Sequence, residues 1–242
     1  MCTVTFIPGK GRVTITSNRD EKLTRRQAIA PAVYQAGQYK LIYPKDAAAE
    51  GSWIGLKENG DAAVLLNGGF LPHQPQPHYA KSRGLIFLDI LKAIRPVICV
   101  MKLELNNIEP FTLILLENNS LYEFRWDGKE KHCRQLTVVR PHIWSSVTLY
   151  NSQVIRKRES WFNSFMNKYP DPTQRDILNF HRFTGDGDTG NDLLMRRDGI
   201  YSTVSITSVM LTADRGSMKY IDLGDGSTIE KKIEFINSMQ TV

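Results

Sequence analysis

The sequence is short of cysteine. Its 242 residues hold only three, Cys2, Cys99 and Cys133. An odd count without close spacing argues against a disulfide framework, and no pair has metal-site spacing. Long apolar runs are also missing. No stretch reaches the roughly 20 residues that a membrane-spanning helix requires, and the N-terminus has no apolar core of a cleavable leader. Nor does charge of one sign build into a block. The net charge is +6, from 31 Lys and Arg against 25 Asp and Glu. That gives mild attraction to anions, while the dense spots at 22–26 and 156–158 read as solvated faces rather than nucleic-acid sites. These absences predict a cytoplasmic protein without a nucleic-acid partner, a transmembrane segment, a metal or a resident cofactor. The apolar fraction of 41% suffices for a sizeable core, and the length suits a single domain spanning 1–242.

What the sequence does have begins at its start, MCTVTFIPGKGRVTITSNRDE. If Met1 is removed, Cys2 carries both a thiol and a free α-amine. The amine titrates near pH 8 and the thiol about half a unit higher. The amine can then serve as general base toward the thiol or as proton donor to a leaving group. Apolar-rich runs at 3–7 and 13–16 flank Pro8, Gly9 and Gly11, which predicts a hairpin. The hairpin returns 17–21 to Cys2 and sets Arg19 and Asp20 where a cation and a carboxylate address the thiolate and the ammonium. Taken alone, an Arg–Asp pair is more often a surface ion pair of small worth.

MCTVTF followed by SNRDE resembles the NRDE family, the transport-and-Golgi-organisation-2-like proteins, named for the tetrapeptide at Asn18–Glu21. A Gly-x-Trp strand (Gly51, Trp53, Gly55), a strand ending at Asn67 and a Ser82-Arg83-Gly84 helix start extend the likeness. These proteins are similar in turn to N-terminal-nucleophile (Ntn) hydrolases of the choloylglycine hydrolase and penicillin V acylase type. The resemblance implies an α+β fold, a four-layer αββα sandwich of two antiparallel sheets. It also implies hydrolysis of a linear, non-peptide amide. Cys2 is then the nucleophile, Arg19 and Asp20 its electrostatic supports, and Asn67 and Asn151 oxyanion donors. For both asparagines a plain reading stands beside this one: turn geometry at Asn67 and helix capping at Asn151 or Ser152. Trp53, Phe70 and Tyr79 are candidates for an apolar acyl pocket. The matching amidases carry an Arg on the strand that would correspond to 201–211, which has none here; Arg196 and Arg197 precede it. The alternative function is a binding or trafficking protein for haem, acyl-coenzyme A or a lipid-like ligand, with Cys2, His73 or His78 as iron ligands.

Elsewhere the pattern is coarser. Asn59-Gly60 between apolar runs predicts a hairpin of strands at 51–56 and 61–67. Residues 22–50 read as irregular apart from a short strand at 39–43. The proline-rich 70–79 excludes a regular element. Helical spacing begins at Ser82 and stops before Pro96. A meander follows at 111–116, 121–126 and 133–139, with Cys99 and Cys133 as core thiols. A strand at 143–150, helices at 154–168 and 172–183, a Gly/Asp-rich loop at 184–198 and closing strands at 199–213, 218–223 and 229–235 complete the chain.

Overall fold

A computed structural model describes residues 3–236. Cys2, the expected nucleophile, lies outside them. In chain order the elements are β1 (Thr3–Gly9), β2 (Arg12–Lys22), β3 (Ile29–Ala36), β4 (Tyr39–Lys45), β5 (Ile54–Lys57), β6 (Ala62–Asn67), α1 (Arg83–Lys92), α2 (Pro96–Lys102), β7 (Phe111–Glu117), β8 (Ser120–Trp126), β9 (Lys131–Leu136), β10 (His142–Ser145), α3 (Ser152–Lys168), α4 (Gln174–Phe183), β11 (Arg196–Arg197), β12 (Tyr201–Leu211), β13 (Arg215–Asp222) and β14 (Thr228–Glu234).

The strands form two antiparallel sheets. One runs β10-β1-β2-β12-β13-β14, with β11 paired to β12; the other runs β3 through β9 in sequence order. Strand alternation separates the layers. Val4, Phe6 and Ile15 of the first sheet meet Ile54, Leu56, Val64 and Ile114 of the second in a shared core. Ile7, on the other face of β1, packs on Phe162 of α3 and Phe180 of α4. Leu65 and Leu113 turn away from the shared core onto Phe87 and Leu91 of α1. The order is helix, sheet, sheet, helix. This is the αββα sandwich that the resemblance implied.

Several local expectations need correction. Residues 29–45 form a hairpin, turned at Gly37 with φ +62°. β3 is an edge strand with much of its length exposed, so its apolar alternation is weak. Pro96 does not simply stop α1. It opens α2 at the first helical position, where its missing N–H is no loss. The strand expected at 143–150 ends at Ser145, and the chain then turns, with Tyr150 N–H donating to Ser146 O at 3.1 Å. Cys133 is exposed rather than a core thiol, while Cys99 is half-buried. Arg158, expected on a solvated face, is fully buried. Among the described residues no helix is long and apolar enough to cross a membrane.

Candidate active site

The site is built where the end of β2 meets the second sheet. Thr3, the first described residue of β1, lies opposite Asn18. The period-two alternation of β2 then deals its next four side chains to two faces. Asn18 and Asp20 turn toward the helix layer, and Arg19 and Glu21 line a cavity between the sheets.

On the helix side, Asn18 is a structural bolt. Its Nδ2 donates to the carbonyls of His181 at 3.1 Å and Leu193 at 2.7 Å. Its Oδ1 can only accept, so the 2.7 Å contact with His181 Nδ1 fixes the proton on that nitrogen. His181 Nε2 therefore accepts from Thr5 Oγ1 at 2.8 Å. This imidazole is fully buried, and burial followed by the nearby Arg158 charge lowers its pKa to about 3. It stays neutral.

Asp20 is 3% exposed. It accepts from Tyr150 OH at 2.7 Å and Thr203 Oγ1 at 2.5 Å. Thr203 in turn accepts from Met195 N–H at 2.8 Å. A β-bulge on β12 opposite this point shifts the register, so that Thr203 pairs with Asp20 and Ser205 with Arg19. Bulges of this kind re-aim side chains beside functional sites. Behind Tyr150 lies the guanidinium of Arg158. It donates to Thr3 Oγ1 and to the carbonyls of Asn191 at 3.0 Å and Asp192 at 2.7 Å. Among the described residues no carboxylate pairs with it.

On the cavity side, Arg19 is 4% exposed and lies 4.4 Å from the Trp53 ring centroid. Its Nη2 donates to Asp46 Oδ2 at 2.7 Å. Arg25 Nε reaches the same oxygen at 3.0 Å, and Glu21 stands 3.6 Å from Arg19 and 3.7 Å from Arg25. Asp46 Oδ1 accepts from the N–H groups of Ala48 and Ala49. Burial alone would raise the Asp46 carboxyl. The hydrogen bonds from Arg25, Ala49 and Ala48 outweigh it and hold the group below its ordinary value.

The cavity measures about 370 Å³. The charged side chains around it are Arg19, Glu21, Arg25, Asp46, Lys81, Arg83 and Glu109, with Trp53, Leu65, Asn67 and Tyr79 between them. It is thus a polar cavity rather than the apolar pocket expected. Its far wall depends on two glycines. A Cβ on Gly51 would lie 2.4 Å from the carbonyl carbon of Gly84, and this close approach lets Ser52 N–H bond Gly84 O at 3.2 Å. Only glycine fits such a contact.

The expected residues divide. Arg19, Asn67, Trp53 and Tyr79 line the cavity, and Asp20 lies behind its β2 wall. Among the described residues the Asn67 side chain takes no hydrogen-bond partner, and its carbonyl accepts from Ser146 Oγ. Asn151 is exposed and caps α3, accepting from Val154 N–H at 3.0 Å. Phe70 is not in this cavity; it packs against His132 and under Arg125. His73 Nε2 is engaged by Glu109 at 3.1 Å, which also pairs with Arg83. His78 is exposed. Arg197, a candidate for the missing strand arginine, donates to the carbonyls of Leu149 and Gly190 and lies 5.2 Å from the Tyr150 ring. Among the described residues no three His, Cys, Asp or Glu side chains gather as a metal site. Sequence reasoning missed Asp46, Glu109, Tyr150, Arg158 and Thr203. Only Asp46 had a local signal, an Asp opening a turn.

Solved proteins that resemble this chain in fold include the following. A Caenorhabditis elegans N-acylethanolamine-hydrolyzing acid amidase orthologue superposes with a TM-score of 0.57 at 11% identity, over 86% of this chain and 92% of that one. Conjugated bile acid hydrolase from Clostridium perfringens, solved as an arginine-to-leucine variant, gives 0.53 at 11% identity over 100% and 99%. A cysteine-to-alanine variant of the same hydrolase gives 0.53 again, over the full length of both chains. At such identity the likeness is one of fold, that of the Ntn hydrolases. No curated protein matches the sequence. The family model described as Transport and Golgi organisation 2 matches residues 1–198, and the chain belongs to that family.

Proposed function

We propose that the protein is an N-terminal-cysteine hydrolase of a linear, non-peptide amide. The observation that carries this reading is the splitting of Arg19 and Asp20 to opposite faces of β2, beside the described end of β1. The arginine enters a polar cavity, and the carboxylate is held by two hydroxyls behind it. A thiol and an α-amine on the residue preceding Thr3 are the chemistry such an arrangement serves.

The proposal requires Cys2 to carry a free α-amine. Its thiolate attacks the amide carbonyl, a C–S bond forms, and negative charge moves to the carbonyl oxygen. Asn67, with an uncommitted amide on the cavity wall, donates to that oxyanion; one such donor is worth roughly a hundredfold in rate. The C–N bond breaks as the Cys2 ammonium passes a proton to the leaving nitrogen. Water, deprotonated by the Cys2 amine, then cleaves the thioester and restores the thiol. Arg19 lowers the thiol pKa electrostatically, moderated by Asp46. Asp20 orients the ammonium. Asn151, exposed and committed to capping, is assigned no part in this scheme. The charged cavity favours a substrate with polar groups flanking the amide, and a reducing cytoplasm suits the thiol.

The test is intact mass of untagged protein, followed by hydrolysis of an amide library by wild type and Cys2→Ala. Processing to Cys2 with turnover that vanishes in Cys2→Ala is expected. Turnover that persists in Cys2→Ala would overturn the scheme.

A further inference from the structure

A second cleft opens on the other side of the Arg19–Arg25 wall, and nothing in the hydrolase scheme uses it. It encloses about 830 Å³, within the range of small-ligand sites. Its rim draws cations from parts of the chain far apart in sequence. Lys22 and Arg26 come from the end of β2 and its following turn, Arg182 from the last turn of α4, and Arg196 and Arg197 from β11. Among the described residues none of these five forms an ion pair. Three carboxylates also line the cleft, fewer than its cations: Glu21 stands 3.6 Å from Arg19 and 3.7 Å from Arg25, and Asp222 and Asp225 are oriented by neutral donors. Asp222 accepts from Gln27, Tyr220 and the Gly224 N–H, and Asp225 accepts from Gln27 and the Ser227 N–H.

One of the cations is preorganised. Arg197 is half-buried, and carbonyls rather than carboxylates hold its guanidinium, Gly190 O at 2.8 Å and Leu149 O at 2.9 Å. Its charge is therefore held beside the cleft without being neutralised, its hydrogen bonds spent on Gly190, Leu149 and Asn191 outside the lining. The floor between the cations is mixed, with Leu194, Tyr201, Val204 and Leu223. Scattered exposed lysines and arginines normally do no more than solvate a surface. Here they converge on a concavity, and a concave low-dielectric wall focuses the field of like charges. Self-repulsion among five unpaired cations is relieved by a bound polyanion.

We infer that this cleft binds an organic anion carrying at least two negative charges, phosphate or carboxylate, with an apolar portion against Leu194 and Leu223. The inference stands whether or not the protein hydrolyses an amide.

Isothermal titration of the full chain at low salt tests it, with inorganic pyrophosphate and citrate as separate probes. The variants are Arg182→Ala/Arg196→Ala, whose exposed side chains leave folding intact, and Arg197→Gln. The expected result is saturable, sub-millimolar binding of at least one probe that weakens about tenfold or more in the double variant, as loss of two charge-assisted contacts implies. Pyrophosphate preferred over citrate marks the ligand as a phosphate ester, and the reverse marks a polycarboxylate. No saturable binding of either probe, or equal binding by the double variant, overturns the inference. Thermal unfolding of each variant confirms that a loss of binding is not a loss of fold.

Discussion

The guanidinium of Arg158 lies 3.6 Å from the centroid of the Tyr150 ring, and the hydroxyl of that ring donates to Asp20 Oδ2 at 2.7 Å. A buried cation is thus linked to a buried carboxylate through an aromatic ring rather than by a direct ion pair. The cation draws electron density from the ring face and makes the phenol a better donor to the carboxylate. Because Tyr150 closes the turn after β10, the link ties that loop and α3 to the end of β2.

Tyr150→Phe keeps the ring beneath Arg158 and removes the donor. A hydrogen bond to a buried charged group contributes about 1.5–3 kcal/mol, and a loss in that range is expected from urea unfolding. If the hydrolase scheme holds, the variant also loses kcat more than it raises KM, because Asp20 acts on the ammonium and not on substrate. A variant as stable as wild type would show that the hydroxyl contributes nothing to holding Asp20.

Arg158→Met removes the cation but keeps an apolar stem. The carbonyls of Asn191 and Asp192, now without their donor, each cost about 1–3 kcal/mol if left buried and unpaired. A destabilisation of about 2–4 kcal/mol is expected, with the loop at 184–195 losing protection first in hydrogen exchange. Uniform loss of protection across the first sheet would contradict the local role.

His181 predicts an acid limb with an identifiable window. Its folded pKa, about 3, is depressed below the ordinary 6.5. The unfolded chain therefore binds a proton that the native chain refuses. Stability from this group is complete above pH 6.5 and declines by about 1.4 kcal/mol per pH unit as pH falls toward 3. Asp46 and Glu123, also depressed, add their losses only below the ordinary carboxylate range. Between pH 6.5 and 5 the wild type should lose about 2 kcal/mol, and His181→Gln, which keeps a donor for Asn18, should lose little. Parallel slopes for the two proteins over that interval would count against a neutral His181.

The sequence disclosed the local turns that build the site. The hairpin that returns 17–21 to the start of the chain is legible from Pro8, Gly9 and Gly11, and Asn59-Gly60, with Gly60 at φ +88°, announces its own hairpin. That β2 runs on to Lys22 and so sends Arg19 and Asp20 to opposite faces is not legible, because the apolar run stops at Thr16. Also hidden are partners brought in from a distance. Arg158 sits between Lys157 and Glu159 and reads as a solvated helix face, because the carbonyls that receive it belong to a loop more than 30 residues on. Asp46 looks like any turn residue until Arg19, 27 residues earlier, reaches it. β4 reads as a short strand at 39–43, but its partner β3 is illegible for a different reason. An edge strand exposes much of its length, so the apolar periodicity that marks strands is never written into it.

The glycine pair at the cavity wall gives a steric prediction. Gly51→Ala places a Cβ 2.4 Å from the Gly84 carbonyl carbon and 2.7 Å from its Cα and from Leu85 N. All three are backbone atoms at the start of α1, which cannot swing aside as a side chain would. The helix start must move, at a cost of about 1–3 kcal/mol, and Ser52 loses its bond to Gly84 O. Gly11→Ala is the control for loss of glycine at a positive φ without a clash, since nothing lies within 4 Å of its added Cβ. A smaller effect at Gly51 than at Gly11 would refute close packing as the reason for glycine there.

The Arg19–Asp46 pair is 4% and 11% exposed at its side chains, which makes it a test of what a buried ion pair does. Desolvating two charges costs about as much as their attraction returns, whereas removing one partner strands the other at about 3–5 kcal/mol. Asp46→Asn retains the acceptor for Ala48 and Ala49 but leaves Arg19 and Arg25 facing each other with only Glu21 between them. It should therefore destabilise strongly. Arg19→Met should destabilise less, because Arg25 remains within 3.0 Å of Asp46 and keeps the carboxylate paired. The double variant Arg19→Met/Asp46→Asn should recover part of the Asp46→Asn loss, because the stranded buried cation is gone. Denaturant melts of the four proteins in one buffer give the coupling energy directly. Equal losses for the two single variants would mean that Arg25 does not share the carboxylate, and the three-residue clamp at the head of the cavity would have to be redrawn as a simple pair.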